Sequence, residues 1–187
     1  MPEATVHDQV GLLALPVGRY RLDPIRSRVS FTTRHVFGLG AVVGTFTLRH
    51  GQLRVADPVQ TSTVSAVFAA DSFTSGNSRR DLDVRSAKLL DTATYPDLMF
   101  ISDKLLEAGG SWCVQGTLCA HGINQPVGLR ISAAQHKGDE VVLDAVTRID
   151  RYAFGITAAR GMAGRNLDVH LAIVATAENP GGQTDDH

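Results

Sequence analysis

The chain has 187 residues, close to one domain's worth, and 43% of them are apolar. Its 18 Lys and Arg nearly cancel its 19 Asp and Glu, leaving a formal charge of -1. This balance excludes a global electrostatic drive toward nucleic acid or an anionic membrane, and the apolar share excludes disorder of the whole chain.

Residues 1–17 read as a loose N-terminal arm. Its apolar patch, Val10 to Val17, has no Lys or Arg before it and is far shorter than the ~20 residues of a membrane span. Neither a signal peptide nor a membrane anchor is expected, and the expected location is the cytoplasm. From residue 18 the pattern alternates with period two. Val29, Phe31, Thr33 and His35 share one parity, and Val42, Gly44, Phe46 and Leu48 repeat it. The glycines of GLGAVVG (Gly38, Gly40, Gly44) lie between strand patterns with no helix after them, so they read as a β-turn and not as a dinucleotide loop. Arg49-His50-Gly51 and Asp57-Pro58 are the next turn signals, followed by the strand pattern Val64, Ala66, Phe68.

Helical spacing replaces alternation near residues 78–90, with Leu82, Leu89 and Leu90 on one side. Ser78 is the expected N-cap, and Asp81 resembles the acidic member of a capping box. Alternation then resumes through Leu98, Phe100 and Ser102, through Val114, Gly116 and Leu118, through Val141 to Ile149, and in LDVHLAIVATA. Turn signals at Glu107–Gly110 and His136–Asp139 separate these runs. About eight strands, or nine, predict a mainly β protein, an antiparallel sandwich or closed barrel of residues 18–177 with one inserted helix; closure would remove the exposed sheet edges. Residues 178–187 read as a flexible polar tail.

The chemistry-bearing residues form no catalytic constellation. There is no GxSxG, P-loop or HExxH pattern, and Asp81 and Asp83 are two apart on a helix, where they do not face each other. Cys119 and His121 share a strand face, but no second close pair of ligands accompanies them, so no metal is expected. Cys113 and Cys119 lie in one strand, six residues apart at ~3.3 Å per residue or roughly 20 Å in all, too far to pair with each other. Arg79 and Arg80 sit at the predicted helix start, where backbone N–H groups favour an anion. From the residues alone the expectation is a closed barrel with an inserted helix and no enzymatic activity.

Five motifs in order carry a family resemblance. They are Tyr20-x-Leu22-Asp23-x-x-x-Ser27-x-Val29-x-Phe31, Ser72-x-Thr74-x-Gly76-Asn77-x-x-Arg80-Asp81, Tyr95-Pro96-x-x-x-Phe100-x-Ser102, the run Leu118 to Gly122, and Asp150-Arg151-x-x-Phe154-Gly155. Together they resemble the YceI-like, polyisoprenoid-binding family, whose fold is a lipocalin-like β-barrel. Arg26 stands where that family often has His, and Lys88-Leu89-Leu90-Asp91 replaces a more aromatic run.

The resemblance implies a binding or carrier protein for one long isoprenoid, a polyprenyl chain or an isoprenoid quinone, held without other cofactor inside the barrel. It also implies a homodimer. The tail is expected among Val29, Phe31, Phe46, Phe100, Leu82 and Leu89, with Phe154 completing the set. A phosphate head would meet Arg79 or Arg80, and a quinone head would meet Thr33 or His35. Two alternatives remain at this stage: an enzyme or redox protein using Cys119, His121 or a bound quinone, and a solid structural barrel acting through its surface. Strand parity does not separate a hollow barrel from a filled one.

Overall fold

A strand that alternates apolar and polar residues leaves one face in need of cover, and this chain supplies the cover by closing one sheet on itself. The computed structural model describes residues 11–35, 40–160 and 163–178. Its strands are β1 (Gly18–Leu22), β2 (Arg28–His35), β3 (Gly40–Val55), β4 (Thr63–Thr74), β5 (Asp97–Ala108), β6 (Ser111–Ala120), β7 (Ile123–Lys137), β8 (Glu140–Asp150) and β9 (Asn166–Ala177). They pair in the order β1-β3-β2-β9-β8-β7-β6-β5-β4, and β3 also pairs with β4, so the circuit closes.

Nine strands make eight staves because β1 and β2 occupy one position. Both lie antiparallel between β3 and β9, with Tyr20 opposite Leu53 and Ala177, and Val29 opposite Phe46 and Leu171. Between them the chain loops out. The buried Ser27 hydroxyl repairs the interrupted ladder: it donates to the Val174 carbonyl at 3.2 Å and accepts from the Val174 N–H at 3.1 Å. Arg26, in the same loop, pairs with Asp23 at 2.7 Å and with Glu140 of β8.

The turn expected at Arg49-His50-Gly51 does not form. β3 runs straight through it as a 16-residue strand with a register shift between Leu48 and His50. Before the shift Val42, Gly44 and Leu48 are buried; after it Gly51, Leu53 and Val55 are. The bulge changes the inward parity, so both halves bury their apolar side in one strand.

The helix is also shorter than expected. α1 spans Ser78–Arg85, and its N-cap is Asn77, whose Oδ1 accepts from the Arg80 N–H at 3.0 Å; Ser78 is the first helical residue. Extended backbone at Ser86 ends the helix, and turns carry the chain through Leu89 and Leu90 to Tyr95.

Antiparallel order gathers the connection 75–96, the turn at His121-Gly122 and the segments 151–160 and 163–165 at one end of the barrel. The other end is closed by Leu12, Leu15, Val55, Leu105, Trp112 and Ile131. Leu12 and Leu15 therefore belong to the core and not to a loose arm; residues 1–10 of that arm, and 179–187 of the expected tail, lie outside the described residues.

Candidate functional site

The inward faces of the staves do not meet at the barrel axis. They leave between them a cavity of about 230 Å³, whose wall is apolar except for Ser62, Thr63, Ser102, Thr147 and Arg151. Two of those hydroxyls are already engaged: Ser62 Oγ accepts from the Ala56 N–H at 3.0 Å and Ser102 Oγ from the Val64 N–H at 2.8 Å. The cavity thus presents hydrocarbon almost everywhere, which suits a ligand without polar groups along its length.

Aromatic rings shape one side. Phe31, Phe46 and Phe73 form a triangle with centroid separations of 5.9, 5.8 and 5.5 Å. Gly44, expected in a turn, lies within β3 beneath two of these rings. A Cβ there would come within 2.6 Å of both Phe31 and Phe73, so glycine is the residue that lets them pack. Gly116 does the same for Phe100, whose ring would stand 2.6 Å from an added Cβ.

Of the residues expected at a ligand, Val29, Phe31, Phe46, Phe100 and Phe154 line the cavity. Leu82 does not. It is 67% exposed, because α1 ends before its apolar stripe is complete. Leu89 packs beside Phe154 and Ile156 without lining the cavity, and its neighbour Leu90 takes the lining position. Thr33 is outside the wall too, its hydroxyl donating to the Asn166 carbonyl at 3.1 Å. His35 ends β2, and its side chain lies outside the described residues.

Arg79 is exposed on α1. Arg80 is committed elsewhere, its Nε donating to Ser75 Oγ at 2.7 Å and its Nη2 to the Ser75 carbonyl at 3.1 Å. Neither reaches the cavity, so the expected arginine pair at the helix start is not part of its wall.

Cys119 and His121 are separated from the cavity by strand parity. Leu118 and Ala120 line it, which turns Cys119 to the outer side of β6. His121 adopts a left-handed conformation (φ 51°) at the β6–β7 turn. Its Nδ1 lies 3.2 Å from the Phe154 carbonyl and its ring centroid 5.0 Å from that of Tyr95, which ties together the connections at this end. Both cysteines are free thiols. Among the described residues no group of three or more His, Cys, Asp or Glu is placed to hold a metal ion.

The residue that sequence reasoning missed is Arg151. It follows β8 directly, is 5% exposed and lines the cavity. Its guanidinium donates to four backbone carbonyls: Gly164 at 2.9 Å, Ile156 at 2.6 Å, Ala158 at 2.8 Å and Ala163 at 3.1 Å. Burial lowers its pKa from the ordinary arginine value. The signal was present in Asp150-Arg151-x-x-Phe154-Gly155, but an arginine just past a strand ordinarily reads as a solvated turn residue.

The sequence profile described as the YceI-like domain matches residues 20–175 of this chain. A UPF0312 protein of Vibrio cholerae is 26% identical over 151 residues, which span 76% of this chain and 79% of the relative. A UPF0312 protein of Pseudomonas putida is 28% identical over 120 residues, 61% of this chain and 62% of the relative. Among solved structures, BcnA of Burkholderia cenocepacia superposes with a TM-score of 0.74 at 21% identity, covering 83% of this chain and 99% of that one. A polyisoprenoid binding domain from Saccharophagus degradans superposes with a TM-score of 0.67 at 16% identity, covering 87% of this chain and all of the other. At such identities the structural likeness establishes the fold.

Proposed function

The chain belongs to the YceI-like domain family, and from that premise we propose that its barrel binds and carries a single long isoprenoid lipid. The observation that carries this reading is the barrel cavity of about 230 Å³ with its apolar wall. It is larger than the roughly 150 Å³ apolar hole that stays dry and accepts benzene, and smaller than the ~300 Å³ at which pockets for drug-sized ligands begin. A tail of several isoprene units therefore also requires rearrangement of the ring cluster of Phe31, Phe46 and Phe73. Each isoprene unit moved from water into this wall contributes roughly 3–4 kcal/mol before ordering costs.

Carriage, not catalysis, is what the wall supports: Ser62 and Ser102 hold backbone N–H groups, and Cys119 and His121 stand outside it. No helix among the described residues is long and apolar enough to cross a membrane. The Saccharophagus degradans domain, a polyisoprenoid binder with the same fold, adds support for the ligand class.

The test is native purification followed by organic extraction and mass spectrometry. The expected result is a polyprenyl lipid or isoprenoid quinone at close to one molecule per chain. A barrel that purifies empty, and then refuses both lipid classes in titration, overturns the proposal and leaves a structural barrel that acts through its surface.

A further inference from the structure

The barrel end beside the β8–β9 connection concentrates positive charge that an apolar tail does not use. Three guanidiniums surround the Tyr152 ring: Arg151 at 4.9 Å, Arg160 at 5.1 Å and Arg165 at 5.2 Å from its centroid. Among the carboxylates near them, Asp150 is already taken. It accepts from Arg165 Nη2 at 2.6 Å and from the Tyr152 N–H at 3.0 Å, and the Arg165 hydrogen bond holds its pKa below the usual carboxylate range. Arg160 is exposed.

Arg151 is the informative member. It is the only charged residue in the cavity wall, and it has no carboxylate within ion-pair distance among the described residues. Its four carbonyl partners solvate the cation without neutralising it, and a guanidinium has one N–H more than these bonds use. The adjacent Asp150 attracts it only through space and is itself paired with Arg165, so Arg151 has no direct ion pair, and an oxyanion brought to it in a low-dielectric wall interacts more strongly than it would in water.

We propose that Arg151 and Arg160, at Tyr152, receive the oxyanion head of the bound lipid, a phosphate monoester or a carboxylate, while its tail occupies the cavity. This assignment rests on the lipid-binding reading and narrows it. The head sits at the end of β8 and not at the start of α1, and a neutral quinone or alcohol is the weaker ligand.

The experiment titrates the full chain with matched pairs of probes that differ only in the head. Farnesyl phosphate against farnesol tests the phosphate, and palmitate against hexadecanol tests the carboxylate. A charge-assisted contact predicts about tenfold or greater preference for the anion in at least one pair, decreasing as salt is raised. Which pair shows the preference identifies the head. Arg160→Gln, an exposed change, should cut the preference several-fold. Arg151→Met should bring it close to one, with a thermal melt recorded to check that the variant folds. Equal binding within both wild-type pairs overturns the head assignment while leaving the barrel reading intact, as does a preference that neither substitution moves. Failure of all four probes to bind overturns both.

Discussion

Asp81 is the one buried carboxylate among the described residues, at 5% exposure. The resemblance of its spacing to a capping box placed it at the helix start, but its partners lie behind the helix. It accepts from the Ser75 hydroxyl at 2.5 Å, from the Ser75 N–H at 2.9 Å and from the Thr74 hydroxyl at 3.2 Å. These bonds, the Ser75 hydroxyl first, lower its pKa from the ordinary value. A depressed carboxylate stabilises the fold fully above the unfolded pKa of about 3.9, and the contribution is lost as pH falls through the lower folded value. Asp81→Asn should therefore melt at a lower temperature than wild type at pH 7. The gap should narrow progressively as pH falls below the unfolded pKa of about 3.9, as wild type loses the same contribution. Melts on both sides of that pKa check this, and a gap that stays constant with pH would show that the carboxylate charge has no part in it.

The helix and β3 show how an element can be foreseen in kind and missed in extent. Helical spacing near 78–90 located α1, but the preceding Asn77 caps it and Ser86 ends it within eight residues. Asn77→Ala should cost about 0.5–2 kcal/mol in urea unfolding, while Ser78→Ala, at a helical position whose side chain does not cap, should cost much less. Equal losses would return the cap to Ser78. In β3, a turn signal and a bulge share the same residues, Arg49-His50-Gly51, because both need a local departure from flat alternation. What distinguishes them is whether the segments on either side pair with the same neighbour. Here β4 pairs with β3 on both sides of the shift, at Leu48–Phe68 and at His50–Val67, so the strand continues.

At the scale of the molecule, closure of the sheet through β3 and β4 turns eight inward faces into one cavity. Phe46→Trp tests how that space is used. A larger ring in a filled core typically costs ~1–3 kcal/mol, whereas beside an existing hole it should cost less. The variant should fold with near-wild-type unfolding free energy and lose or shorten the lipid recovered by extraction. A variant that keeps its full lipid load would place the tail away from the ring cluster. The same closure brings Tyr95, His121 and Phe154, far apart in the chain, into one contact at the barrel end.

Strand alternation is a property of neighbouring residues, and it was enough to specify a mainly antiparallel β fold, one helix, and the inward set Val29, Phe31, Phe46 and Phe100. Those four carry their apolar character with the period that the pleat imposes, so no partner strand had to be known to find them. The shared stave of β1 and β2, the cavity itself, the exposure of Leu82 and the burial of Arg151 were decided only in three dimensions. Arg151 is the sharpest case. The carbonyls at Ile156, Ala158, Ala163 and Gly164 that hold it belong to a connection with no periodic pattern, and only the folded path of that connection turns them toward the guanidinium. Whether a long-range contact forms depends on where distant segments meet, and a local pattern does not encode that meeting.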